Sequence, residues 1–248
     1  MKVTPIKTAP IVKGDDLYKI LDEYLPKKIN EGTIVAVSSK IVGICEGRIV
    51  KNEGDELRDE LAKKESDFYL PREYNQYGFM ITINQNIMVA SGGIDQSNGN
   101  GYLVLWPENP QKSANQIREY LVKRCKLQNT GVIITDSKLS PLRMGVTGVA
   151  LAHSGFEAII DYVGKPDVFG RIMQAEKTNV ADSLAIAATV EMGEGNEQQP
   201  LAIIEDVSFV NFQKRNPTKE ELESLKVEIG VDVFSSMLTS VKWIKGGS

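Results

Sequence analysis

Cysteine, histidine and long apolar runs are what this chain has least of. Its two cysteines, Cys45 and Cys125, are too few for a disulfide framework and lack the spacing of a zinc site. Cys125 falls on the inner face of an expected helix and reads as a small hydrophobe. The single histidine, His153, excludes a histidine cluster. It has no Gly-x-Ser-x-Gly nucleophile motif to serve, so a structural and a catalytic role stay equally open. No apolar run reaches the ~18 residues of a membrane span, and no signal peptide opens the chain, so cytoplasmic residence without a membrane partner is expected. Basic excess is missing too: a net charge of −4 argues against nucleic acid as a partner. The Gly-x-x-x-x-Gly-Lys-Ser/Thr phosphate loop is absent, as are internal repeats and low-complexity linkers.

What is present is an ordinary globular composition, 42% apolar and 25% charged over 248 residues, enough for one large domain or two small ones with a buried core. The stretch that organises it is Gly131-Val132-Ile133-Ile134-Thr135-Asp136-Ser137. Consecutive β-branched residues predict a strand buried on both faces, and it stops at a carboxylate between two hydroxyls. Such a group can start a turn or hold a hard cation, which takes oxygen ligands and keeps several waters. Upstream, Ile87-Met88-Val89 runs into Ala90-Ser91-Gly92-Gly93-Ile94-Asp95-Gln96-Ser97-Asn98-Gly99. Here too one acid follows a strand, and the Gly-Gly pair permits close backbone approach. A plain glycine-rich loop is the alternative reading. Two acids on two strand ends are able to share a metal beside phosphates.

The rest of the chain supplies the frame. Asp15-Asp16 suits a helix start before Leu17, Ile20, Leu21, Tyr24 and Leu25. Ile34-Val35-Ala36-Val37 predicts a second buried strand, ending in Ser38-Ser39-Lys40. Residues 55–65 form a charged helix. Met80–Ile83 and Ile87–Val89 pair as a hairpin around Asn84-Gln85-Asn86, Tyr102–Trp106 reads as a strand, and Ser113 caps a helix carrying Ala114, Ile117, Leu121 and Cys125. Residues 138–175 are glycine-punctuated and carry Arg143, Asp161, Asp167 and Arg171, a surface suited to a ligand or to loops alone. A helix over Val180–Met192, a strand at Leu201–Ile204 and a Thr218/Glu221 capping box complete the reading. Gly246-Gly247-Ser248 is set aside as a cloning remnant.

Taken in order, these stretches resemble a known family. Gly14-Asp15-Asp16-Leu17, Val37-Ser38-Ser39-Lys40 with Glu46-Gly47-Arg48, Gly93-Ile94-Asp95-Gln96-Ser97-Asn98 and Gly131–Ser137 carry the likeness. So do Arg143-Met144-Gly145, Ser154-Gly155, Asp161-Tyr162-Val163-Gly164, Asp167, Gly170-Arg171, Val180-Ala181-Asp182 and Met192-Gly193-Glu194-Gly195. Together they look like the coenzyme F-420 γ-glutamyl ligases, over residues 5–205. The resemblance implies an α+β fold of mixed sheets with flanking helices in two intertwined lobes: a ligase-like domain at 1–205, then a C-terminal helical extension at 206–245. It implies a homodimer that uses GTP and two divalent ions, Mg²⁺ or Mn²⁺, with K⁺ as a further candidate. Its partners are small molecules: L-glutamate and a carboxylate acceptor, coenzyme F-420-0 or a related compound, activated as an acyl phosphate. By motif position Asp95 and Asp136 hold one metal, and Ser137 and Glu194 the other. The nucleotide touches Ala9, Pro10, Ile11, Ser38, Ser39, Asn98 and the 192–199 loop, with Met192, Gly193, Gly195 and Asn196. Lys40, Arg143 and Arg171 are assigned to phosphate or acceptor on charge alone, and Glu46 has the same standing.

Two departures bear on the acceptor. Gly43-Ile44 stands where the family often has Ser-Lys, and Leu139-Ser140-Pro141-Leu142 replaces a Gly-Arg-Pro and an aromatic. The metal and nucleotide chemistry is therefore expected to persist on the deazaflavin or on a folate-like acceptor. A nucleotide-binding module that has lost turnover is the alternative from another class.

Overall fold

The computed structural model describes residues 1–247. The chain opens with β1 (Lys2–Ile6), α1 (Leu17–Tyr24), β2 (Thr33–Ser38) and α2 (Ser39–Cys45). It then builds β3 (Ile49–Lys51), α3 (Asp55–Glu65), β4 (Phe68–Leu70), β5 (Ile81–Asn84), β6 (Ile87–Ala90) and β7 (Tyr102–Val104). After α4 (Pro110–Cys125) come β8 (Thr130–Leu139), β9 (Val146–Ser154), β10 (Ile159–Asp161), β11 (Lys177–Asn179), α5 (Val180–Met192) and β12 (Leu201–Glu205). α6 (Lys219–Glu223), α7 (Ser235–Leu238) and β13 (Ile244–Lys245) form the tail. Among the described residues no helix is long and apolar enough to cross a membrane.

This is a mixed α+β fold organised by a five-stranded sheet in the order β1-β12-β2-β8-β9. Only β2 and β8 run parallel. Because side chains alternate faces along a strand, Val35, Val37, Val132 and Ile134 pack against α1, α2 and α4. Ile34, Ala36 and Ile133 turn the other way, onto the alanine-rich face of α5. Covering both faces explains why these strands carry unbroken apolar runs. A second sheet, β13-β4-β5-β6, and the pair β3-β7 form a smaller lobe around Met80, Ile94, Leu103 and Leu105. The chain leaves the large sheet after α2, builds this lobe, and returns through α4.

Most predicted elements stand where expected, including the hairpin, whose Asn84↔Ile87 pair closes over Gln85-Asn86, both with positive φ. Six expectations change. β8 does not stop at Thr135-Asp136-Ser137 but runs on to Leu139, paired with β9 after a register shift at Ile134/Thr135. Val146–Ser154, read as part of a glycine-punctuated ligand surface or loops, is a strand of the large sheet. Ser38-Ser39-Lys40 is not merely a strand end, since α2 begins at Ser39. The strand read as Tyr102–Trp106 stops at Val104. α4 starts before Ser113, at Pro110, because the ring of proline suits the first helical position and Asn109 accepts the Lys112 N–H as cap. The tail is not only helical: β13 adds to β4, and Gly246 and Gly247 donate to the Asp67 and Lys63 carbonyls. Those two glycines are thus part of the fold; Ser248 lies outside the described residues.

Candidate active site

The parallel pair sets the position of the site. Ser38 and Thr135 sit opposite each other where β2 ends and its parallel pairing with β8 stops, and the carboxyl ends of parallel strands are where open sheets leave a crevice. A cleft of about 340 Å³ lies there. Its walls are the 8–11 segment, the start of α2, the Gly93–Asn98 loop and the loop after α5. Backbone bonds tie these walls together: Thr8 N–H to the Gln198 carbonyl and Ser38 N–H to the Pro200 carbonyl, both 2.9 Å. The Asn98 side-chain amide spans the two loops, donating to the Gly195 carbonyl at 2.8 Å.

Asp95, Asp136, Ser137 and Glu194 all line this cleft. Asp95 Oδ1 accepts from the backbone N–H and hydroxyl of Ser97 at 2.7 and 2.8 Å. Its Oδ2 lies 2.6 Å from the Lys40 ammonium, which also reaches the Ser97 carbonyl at 3.1 Å. Asp136 is held differently. Its Oδ1 accepts the Ser137 N–H at 2.8 Å and its Oδ2 accepts the indole N–H of Trp106. Protein encloses it except toward the cleft, and that burial pushes the carboxyl up to about 6, against the opposing hydrogen bonds from Ser137, Trp106 and Ser39. Ser137 Oγ donates to Glu194 Oε2 at 3.3 Å. Glu194 sits on an exposed loop, yet its carboxyl is turned inward and raised above the usual carboxylate range, by burial first.

The donor set is entirely carboxylate and hydroxyl oxygen, which suits a hard divalent cation. Among the described residues no three His, Cys, Asp or Glu side chains converge on one point. Mg²⁺ asks less than that, since one or two carboxylates with retained waters suffice.

Of the expected nucleotide contacts, Ala9, Pro10, Ile11, Ser38, Ser39, Asn98, Met192, Gly193 and Gly195 line the cleft, and Asn196 does not. Lys40 lines it; Arg143 and Arg171 do not. Arg143 lies in the turn between β8 and β9 and Arg171 in the loop between β10 and β11, both exposed. Glu46 serves structure, accepting from the Ser113 hydroxyl at 2.6 Å. His153 is buried, packs edge-on against Phe156 and is pushed down to about 4 by that burial, so it takes no part in the cleft. Sequence reasoning missed Trp106, read only as a strand residue; in the expected 192–199 loop, Glu197 accepts the Gly195 N–H at 2.8 Å. The Pro107 that ends the strand run at Trp106 was the available signal for that tryptophan.

Residues 5–206 match the family described as F420-0:Gamma-glutamyl ligase. The chain belongs to this family. It is 32% identical to the Coenzyme F420:L-glutamate ligase of Methanococcus maripaludis strain C6, over 91% of this chain and 94% of that protein. It is 30% identical to the protein of the same name from Methanocaldococcus jannaschii, over 87% and 93%. Identity to the Archaeoglobus fulgidus protein of that name is 29%, over 82% of this chain and 87% of that protein.

Proposed function

We propose that this chain joins L-glutamate to a carboxylate acceptor through an amide bond, with GTP activating the acceptor. The observation that carries the reading is the meeting of Asp95, Asp136, Ser137 and Glu194 with Ser38, Ser39 and the loop after α5 in one cleft, in a chain whose relatives are named Coenzyme F420:L-glutamate ligase.

An acceptor carboxylate oxygen attacks the γ-phosphorus and GDP departs, leaving an acyl phosphate. The glutamate amine then attacks the acyl carbon, phosphate leaves with the bridging oxygen, and the amine loses a proton. No protein nucleophile is required, which agrees with a cleft free of cysteine and histidine. Divalent cations supply charge neutralisation at the phosphates. Asp95 and Asp136 would hold one, Ser137 and Glu194 the other. Lys40, already poised between Asp95 and Ser97, is a point charge for a phosphate oxygen. Asn98 and the Gly195 carbonyl hold the loop that closes one wall.

Coenzyme F-420-0 is the first acceptor to test. A second reading, a different carboxylate such as a folate-like compound, is favoured by Ile44, an apolar group lining the cleft where the family often carries lysine. Phosphate release and product mass with GTP, glutamate, Mg²⁺ or Mn²⁺ and each acceptor separate the two. Release with the deazaflavin at an ordinary enzymatic rate supports the first; release only with another carboxylate supports the second. Tight GTP binding with no release on any acceptor identifies a binding module instead.

A homodimer is part of the proposal. Leu142 and Met144 at the tip of the β8–β9 hairpin are 103% and 97% exposed, an apolar surface suited to a second copy. Light scattering at micromolar protein checks it.

A further inference from the structure

Trp106 lies between the two acid-bearing segments. It is 3% exposed, and its backbone is fixed from the smaller lobe. Asp95 and Val104 exchange both N–H···O bonds, at 3.0 and 2.8 Å, two residues before Trp106. Arg48 Nε donates to the Trp106 carbonyl at 3.1 Å, and the guanidinium is anchored in turn by Glu65. The indole ring lies flush on Gly93, where any Cβ would collide with it; Gly93 is two residues before Asp95. From that seat the ring N–H reaches across to Asp136 Oδ2 on the large sheet. One side chain therefore touches the backbone that presents Asp95 and the carboxylate of Asp136.

We propose that Trp106 is a positioning residue that sets the separation and orientation of Asp95 and Asp136, and through them the affinity of the cleft for a divalent cation. The proposal rests on the cation-holding reading of the cleft. Its physical basis is the kind of donor. An indole N–H is neutral and donates only, so it fixes one carboxylate oxygen without neutralising the charge a cation needs. A lysine or arginine there would compete with the ion. A leucine or phenylalanine would fill the wall but leave Asp136 free to rotate. Groups that orient a ligating carboxylate are typically worth 10–100-fold in metal affinity.

The test uses the full chain and Mn²⁺ alone. Trp106 and Trp243 are the only tryptophans, and Trp243 belongs to the tail, donating to the Leu238 carbonyl. In Trp243→Phe protein the remaining emission comes from Trp106. Mn²⁺ should quench it, with half-saturation equal to the calorimetric dissociation constant. Trp106→Phe should weaken Mn²⁺ binding by about 10-fold or more, and excess metal should restore turnover, which a purely structural defect would not allow. Equal Mn²⁺ affinity in Trp106→Phe and parent overturns the proposal and leaves the cation reading standing. No Mn²⁺ binding by the parent overturns both. Unchanged Trp106 emission at saturating Mn²⁺ overturns the proposal without any change at position 106, so a poorly folding Trp106→Phe does not shield it.

Discussion

Asp95 and Asp136 face the same cleft from opposite kinds of support. Asp95 sits on a loop, with its side chain 41% exposed, and already has a cation in Lys40. Asp136 lies on a core strand, is gripped by Trp106 and Ser137, and has no cationic partner among the described residues. A solvated carboxylate with a lysine is a comfortable resting state. An enclosed carboxylate held only by neutral donors is not, and it stays ionised at neutral pH at a cost to the fold. Under the proposed cation reading, the stored demand for a cation would fall on Asp136, and Asp95 would complete the shell.

The largest expected break in that comparison is in turnover. Asp136→Asn and Asp95→Asn should each cut kcat by about 10³-fold or more, the scale of losing an electrostatic contact to charge in the transition state. Steady-state phosphate release measures it, and parent-like rates in either variant refute the cation assignment. Stability should separate the two. Without metal at pH 7, Asp136→Asn should gain roughly 2 kcal/mol in urea melts, solvent in the cleft screening part of the effect. Asp95→Asn should change by less than about 1 kcal/mol, since an exposed pair is worth little.

Gly93→Ala is the next break. Gly93 has φ of +78° and the new methyl would strike the Trp106 ring. Both effects act together, so a loss of about 3 kcal/mol is expected in thermal or chemical melts.

Acid titration sharpens the contrast further. Asp136 rises from its ordinary 3.8 to about 6 in the fold, so between these values the folded state binds the extra proton and stability falls as pH rises. His153 falls from 6.5 to about 4, so the unfolded state binds the extra proton there and stability falls as pH drops through that window. The His153 contribution is about 3 kcal/mol across its full range. The two slopes oppose each other. Asp136→Asn should therefore show a steeper loss on acidification from pH 6 to 4 than the parent, and His153→Asn a shallower one. Urea midpoints at half-unit pH steps read this directly.

The smallest effect belongs to Lys40. Lys40→Gln should leave stability within about 1 kcal/mol. It should also tighten Mn²⁺ binding by removing the cation that rests on Asp95, and weaken GTP binding. Calorimetry with each ligand checks the opposite signs.

How much of this was legible in the sequence depends on whether the cause was local. Ile34–Val37 and Val132–Ile134 announced core strands because nothing polar interrupts them, and Asp136 after the second, with Asp95 after Ile87–Val89, marked the cleft. α2 was not legible. Ser39–Cys45 holds β-branched residues, a glycine and no side-chain cap, so its helix depends on burying Ile41, Val42 and Ile44. Gly43 is needed there because a Cβ would strike the Leu105 carbonyl, a contact made 62 residues away. Trp106 was hidden for the same reason, since its acceptor lies 30 residues on, in the five-stranded sheet. Arg143 and Arg171 were visible as charge, but charge says nothing of which way a hairpin points. The final pairing of Ile244 with Tyr69 is too short to leave a period in the sequence.

The most direct test is a crystal soaked with GDP and Mn²⁺, with anomalous scattering recorded at the manganese edge. The account predicts peaks bound by oxygens of Asp95 and Asp136, and of Ser137 and Glu194, with the nucleotide phosphates beside them. Nucleotide bound with no anomalous signal in this cleft, or manganese bound away from Asp136, would contradict it.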